Sequence, residues 1–124
     1  MKECTRLVSL GRDPERFGGM VNTPLFRGST ILSRTMAEWE QKQQDRANDV
    51  AGVSTYGRFG TPTTHALEDA MARLEGGHRA LLFPSGLAAI ATTLTALLSA
   101  GDHVLVTDSA YAPTRTFLAR VLKR

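Results

Sequence analysis

The most regular apolar spacing in the chain is Leu67, Ala70, Met71 and Leu74, at i, i+3, i+4 and i+7, opposite Glu68, Asp69 and Arg73. That is the period of an amphipathic helix. Thr61 is placed to cap it, Pro62 takes the first helical position, where its missing N–H costs nothing, and Gly76-Gly77 supplies a left-handed stop. Ala80-Leu81-Leu82-Phe83 then forms an unbroken apolar run, the pattern of a strand buried on both faces. Pro84-Ser85-Gly86 turns directly into another helix, with Leu87, Ile90, Ala91, Leu94, Leu97 and Leu98 on its apolar side. Gly101-Asp102 breaks that helix, and His103-Val104-Leu105-Val106 predicts a second strand. Pro113 opens a last helix carrying Phe117, Leu118, Val121 and Leu122. Strand, helix, strand, helix with short connections predicts parallel strands in an α/β sheet.

The first half reads differently. Residues 1 to 34 hold Gly11, Pro14, Gly18, Gly19, Pro24 and Gly28 with no sustained period, which predicts an extended arm that needs something to lie on. Thr35-Met36-Ala37-Glu38 matches a capping box, with Glu38 returning to the Thr35 amide. A polar helix follows through about Arg46, and residues 48 to 60 read as loop. Two strands do not make a sheet, and Lys123-Arg124 carries no helix stop, so the chain is expected to be incomplete as a fold.

Composition narrows the classes. The chain has 124 residues, 42% hydrophobic, 22% charged and 6% aromatic, which excludes a disordered, collagenous or disulfide-stapled protein. Fifteen Lys and Arg against twelve Asp and Glu leave +3. The basic residues are scattered until Arg115, Arg120, Lys123 and Arg124, so no nucleic-acid partner is expected. Cys4 is the single cysteine, and His65, His78 and His103 lack ligand spacing, so no metal site is expected. No signal-peptide h-region opens the chain, and Thr92, Thr93, Thr95 and Ser99 interrupt the longest apolar stretch. No membrane association is expected, and the expected location is cytoplasmic.

Three segments carry candidate chemistry. Phe83-Pro84-Ser85-Gly86-Leu87 places free backbone amides where a strand feeds a helix, which suits a phosphate. A capped helix start, with Ser85 as cap, explains the same residues. A serine hydrolase is disfavoured, because Phe83 and Leu87 stand where the nucleophile elbow has glycines. Tyr56-Gly57-Arg58-Phe59-Gly60 offers a phenol and a guanidinium two residues apart, suited to phosphate or carboxylate, or else a surface loop with one anchored aromatic. Its Gly57-Arg58-Phe59-Gly60 also fits the G-x-x-G of KH loops, without the flanking KH pattern. Tyr111, just past the second predicted strand, offers a ring to a planar heterocycle or to packing.

Taken together, Tyr56 through Thr63, Leu74-Glu75-Gly76-Gly77, Phe83 through Ile90, and Gly101 through Tyr111 follow the order and spacing of one family. The chain resembles the N-terminal part of the cysteine/methionine-metabolism family of pyridoxal-phosphate enzymes. The resemblance implies a type I aminotransferase-like fold, with residues 1–60 as an N-terminal arm and inter-subunit loop and 61–124 as the start of the large cofactor-binding domain. It implies pyridoxal phosphate as cofactor, an amino-acid substrate such as cystathionine, and a homodimer or dimer of dimers with active sites shared between subunits. The amides of Gly86 and Leu87 would hold the phosphate in their own subunit, Tyr111 would stack on the pyridine ring, and Tyr56 and Arg58 would reach the neighbour's phosphate. The arm would pack on the partner.

Relatives acting at the γ carbon more often carry Tyr-Ser-Arg where this chain has Tyr56-Gly57-Arg58, and Gly-Asn-Pro-Thr where it has Gly60-Thr61-Pro62-Thr63. The resemblance therefore implies carbon–sulfur bond cleavage by β-elimination, with homocysteine, pyruvate and ammonia as products, in methionine biosynthesis. A γ-synthase or γ-lyase of the same family, or a non-catalytic interaction module, is the alternative. Lys2, Lys42 and Lys123 are the only lysines, and none follows the motif of the family's cofactor-anchoring lysine. No catalytic residue is expected within these 124 residues, and the chain alone is expected to be inactive.

Overall fold

The computed structural model describes residues 3–123. Its α-helices are α1 (Glu3–Ser9), α2 (Met36–Ala47), α3 (Pro62–Glu75), α4 (Gly86–Leu97) and α5 (Ala112–Phe117). A single 3-10 turn spans Gly57–Phe59, and a π-turn at Leu118–Leu122 continues α5. The chain divides into two compact units, one ending at Leu81 and the other beginning at Leu82.

In the first unit, α2 and α3 form where their end signals sit. Thr35 Oγ1 accepts the Glu38 amide at 3.1 Å, as the capping box requires. The return contact differs from expectation: Glu38 Oε2 accepts the amide of Arg34, at 2.8 Å, not that of Thr35. Lys42 Nζ holds the other oxygen at 2.7 Å, so the carboxylate is stretched between i+4 and i−4. These contacts hold the Glu38 carboxyl below its ordinary value, the Lys42 bond first and the Arg34 amide second. At the start of α3 the Thr61 amide donates to Thr64 Oγ1 (2.9 Å), whose hydroxyl donates back to the Thr61 carbonyl (3.0 Å). Gly76 closes the helix at φ +65°, in the left-handed conformation that Gly adopts without a Cβ clash.

The arm is not wholly extended, because residues 3–9 coil into α1. What it lies on within this unit is α3. The Arg6 guanidinium donates to the Arg73 carbonyl (2.9 Å), and Thr23 Oγ1 ties the arm to itself at the Gly11 carbonyl (2.8 Å). The Phe26 amide donates to Thr63 Oγ1 and the Thr63 hydroxyl donates to the Pro24 carbonyl, each at 2.8 Å. Gly11 approaches so closely that a Cβ there would stand 3.2 Å from the Ala66 carbonyl oxygen and 3.6 Å from Ala70 Cβ. Small residues on α3 permit that approach. Ala70 and Ala72, 9% and 8% exposed, are accordingly the buried apolar residues of the described chain, while Leu67, Met71 and Leu74 stay substantially exposed.

In the second unit, Ser85 caps α4 by accepting the Ala88 amide at 3.1 Å. Helices α4 and α5 pack together, and Leu87 shares a shallow, largely apolar cavity of about 430 Å³ with Pro113, Phe117 and Val121.

The two predicted strands do not form. Residues 80–83 and 103–106 carry no ladder, and the one isolated bridge among the described residues is antiparallel, between Thr30 and Tyr56. A parallel strand is held by ladder partners and by layers on its faces. Leu81, Leu82 and Leu105 are exposed here, so neither condition is met.

Candidate functional site

Tyr56 and Arg58 lie together on the 3-10 turn. The turn is closed by the Phe59 amide on the Tyr56 carbonyl (2.9 Å) and the Gly60 amide on the Gly57 carbonyl (3.2 Å). It is tied to the arm by the Gly57 amide on the Ser29 carbonyl (2.7 Å). That approach dictates the residue at 57, because a Cβ there would overlap the Gly28 carbonyl. At the other end Gly60, at φ +117°, lies against the His65 imidazole, whose Nδ1 is 3.2 Å from Glu68 Oε2.

The turn presents aromatic rings and cations in alternation. Tyr56 and Phe59 meet edge to face at 6.3 Å between ring centroids. The Arg58 guanidinium carbon lies 5.3 Å from the Tyr56 centroid and 5.1 Å from that of Phe59. A residue outside the motif joins them: Arg46, from the last turn of α2, sets its guanidinium carbon 3.5 Å from the Phe59 centroid. Among the described residues neither Arg46 nor Arg58 forms an ion pair with a carboxylate. The unneutralised Arg58 guanidinium on the turn attracts an anion. Arg46 had no local signal, since in sequence it is one more polar residue of a polar helix.

Gly86 and Leu87 are the first two residues of α4. Ser85 satisfies the next two amides, accepting Ala88 on its hydroxyl and Ala89 on its carbonyl (3.1 Å each). The amides of Gly86 and Leu87 stand ahead of the first intrahelical bond, and the space where a Gly86 Cβ would point is open. Two free amides at the positive end of a helix, next to an open space, fit a phosphate group. Tyr111 holds the N-cap position of α5 with 62% of its surface exposed, so its ring face is free to stack.

A second concavity, about 390 Å³, lies in the first unit between the arm and α3, where Arg12, Arg16, Arg73 and Arg79 mix with Asp13, Glu68 and Asp69. Asp49, at φ +58°, is ion-paired to Arg79 at its edge. No group of three or more His, Cys, Asp or Glu among the described residues is arranged to hold a metal. No helix among them is long and apolar enough to cross a membrane.

Comparison with known proteins identifies the family. The profile of one family, the Cys/Met metabolism PLP-dependent enzymes, matches residues 4–124. The chain is 38% identical over 120 residues to the cystathionine β-lyase of Escherichia coli, covering 97% of this chain and 30% of that protein. It is 43% identical over 114 residues to the cystathionine β-lyase of Bordetella avium, covering 90% and 28%. It is also 37% identical over 130 residues to an L-alanine/L-glutamate racemase of Wolbachia pipientis, covering 100% and 32%. The chain thus spans a little under a third of the length of these curated relatives.

Proposed function

The chain belongs to the Cys/Met metabolism PLP-dependent enzyme family, and from that premise we propose that the protein carrying it is a carbon–sulfur lyase that cleaves cystathionine by β-elimination to homocysteine, pyruvate and ammonia. The observation that carries this reading is the open start of α4, where two free amides follow a capping serine. Gly86 and Leu87 hold the phosphate of pyridoxal phosphate there, and Tyr111 lies along its ring. Tyr56 and Arg58 serve the same group in a neighbouring copy, so the working form is a homodimer or a pair of such dimers. Residues 1–60 are the arm and inter-subunit loop, and 61–124 open the cofactor domain of a type I aminotransferase-like fold. The expected location is the cytoplasm.

When bound, pyridoxal phosphate supplies the electron sink for the carbanion left by loss of the substrate's α proton. These residues contribute holding and orientation: helix-end amides and guanidiniums fix the phosphate, and the Tyr111 ring sets the plane of the heterocycle. The lysine that moves the proton is supplied from outside these 124 residues. Gly57 supports β- over γ-chemistry, since the serine commoner among γ-acting relatives would meet the Gly28 carbonyl.

The test is a product assay on the complete protein supplied with cystathionine. Pyruvate is expected. A 2-oxobutyrate-type acid would place the enzyme with its γ-acting relatives, and conversion of L- to D-alanine without pyruvate would place it with the racemase. Absence of a visible cofactor band would overturn the reading outright.

A further inference from the structure

The turn that carries Arg58 is contacted from outside the motif by α2. Arg46 sets its guanidinium carbon 3.5 Å from the centroid of the Phe59 ring, whereas Arg58 stands off at 5.1 Å from the same ring. Each cation is drawn to the ring's negative face, and the two repel each other. Contact distance is occupied by Arg46. Neither guanidinium has a carboxylate partner among the described residues, so the ring is a principal local attraction for both.

We propose that Arg46 is a positioning residue: by holding the Phe59 ring at contact distance it keeps Arg58, already 5.1 Å from that ring, from closing onto it, and leaves the Arg58 guanidinium available to the cofactor's phosphate. This deepens the reading given above and rests on its assignment of Arg58 to a phosphate. The backbone of the turn does not depend on Arg46. It is held by the Phe59, Gly60 and Gly57 amides on the Tyr56, Gly57 and Ser29 carbonyls. Removing the Arg46 side chain therefore leaves the turn in place and changes which cation holds the ring.

The complete protein is stripped of cofactor, and the dissociation constant of pyridoxal phosphate is measured from the absorbance of the bound form. The forms compared are wild type, Arg46→Ala, Arg58→Ala, Arg46→Ala with Arg58→Ala, and Arg46→Ala with Phe59→Leu. Arg46→Ala is expected to raise the constant roughly 2- to 5-fold, the worth of one exposed cation–π contact now captured by Arg58. Adding Phe59→Leu restores the constant towards wild type, because the competing ring is gone. In the Arg58→Ala background Arg46→Ala has no further effect.

An unchanged constant in Arg46→Ala, a loss that Phe59→Leu does not reverse, or an equal loss without Arg58 would each overturn the proposal. If Arg58→Ala itself leaves the constant unchanged, the phosphate reading of Arg58 fails and takes this inference with it. If Arg58→Ala weakens binding and Arg46→Ala does not, only the role of Arg46 fails.

Discussion

Single residues decide how the Tyr56–Gly60 turn is built. Gly57 is required for close approach, since any side chain there drives into the Gly28 carbonyl. Gly57→Ser is therefore expected to cost about 1–3 kcal/mol, the usual penalty for overpacking, read as a lowered thermal midpoint of the complete protein. An unchanged midpoint would show that the arm yields at Gly28. The motif was legible in sequence, but the reason for its glycine was not, because the opposing carbonyl lies 29 residues earlier. The same holds for Arg46 and Phe59, which no local pattern connects.

Glu38 makes a residue-scale prediction of a different kind. Its carboxyl is held below the ordinary value by Lys42 and the Arg34 amide, so the folded state binds this proton less readily than the unfolded chain. Its contribution is fully present above the unfolded value and is lost as pH falls through the lower, folded one. Acidification below the ordinary carboxylate range should therefore loosen the first turn of α2, and Glu38→Gln should abolish that part of the pH dependence. Amide exchange at residues 34–38, followed against pH, checks both.

Elements with a marked start were legible: α2 by Thr35, α3 by Pro62 (with Gly76-Gly77 at its end), α4 by Ser85, α5 by Pro113. Caps act within a turn of the backbone and need no distant partner. Ser85→Ala is accordingly expected to destabilise the start of α4 by about 1 kcal/mol, seen as faster amide exchange at Ala88 and Ala89. Unchanged exchange would mean that Ser85 Oγ is not the cap. The elements that sequence misjudged depend on surroundings. Residues 80–83 and 103–106 have strand composition, yet strand is a property of a ladder, and neither has one among the described residues. Helix α1 is tied to the last turn of α3 by Arg6.

The molecule as described is short of interior. Its buried apolar residues are two alanines, while Leu32, Leu97 and Leu105 are among the large apolar side chains left in solvent. Burial on that scale does not offset the ordering of more than a hundred residues. Expressed by itself, the 124-residue chain should melt without a cooperative transition and bind a dye such as ANS, which the complete protein should not. A sharp calorimetric transition of the isolated chain would contradict this.

Thr63 shows what such an architecture asks of the chain in time. Its hydroxyl joins α3 to Phe26 and Pro24, 37 and 39 residues earlier. Closing a loop of that length costs about 3 kcal/mol in chain entropy, more than one hydroxyl returns. Docking of the arm must therefore be concerted, with Arg6, Gly11 and Thr63 engaging together, and it must follow the formation of α3. During synthesis the arm waits on a helix made after it. At ribosomal speeds of about 5–20 residues per second, residues 20–26 precede the end of α3 by roughly 2.5–11 s. Met20, Val21, Leu25 and Phe26 stay more than a third exposed even with the arm docked, so the arm is expected to present apolar surface both before and after α3 forms.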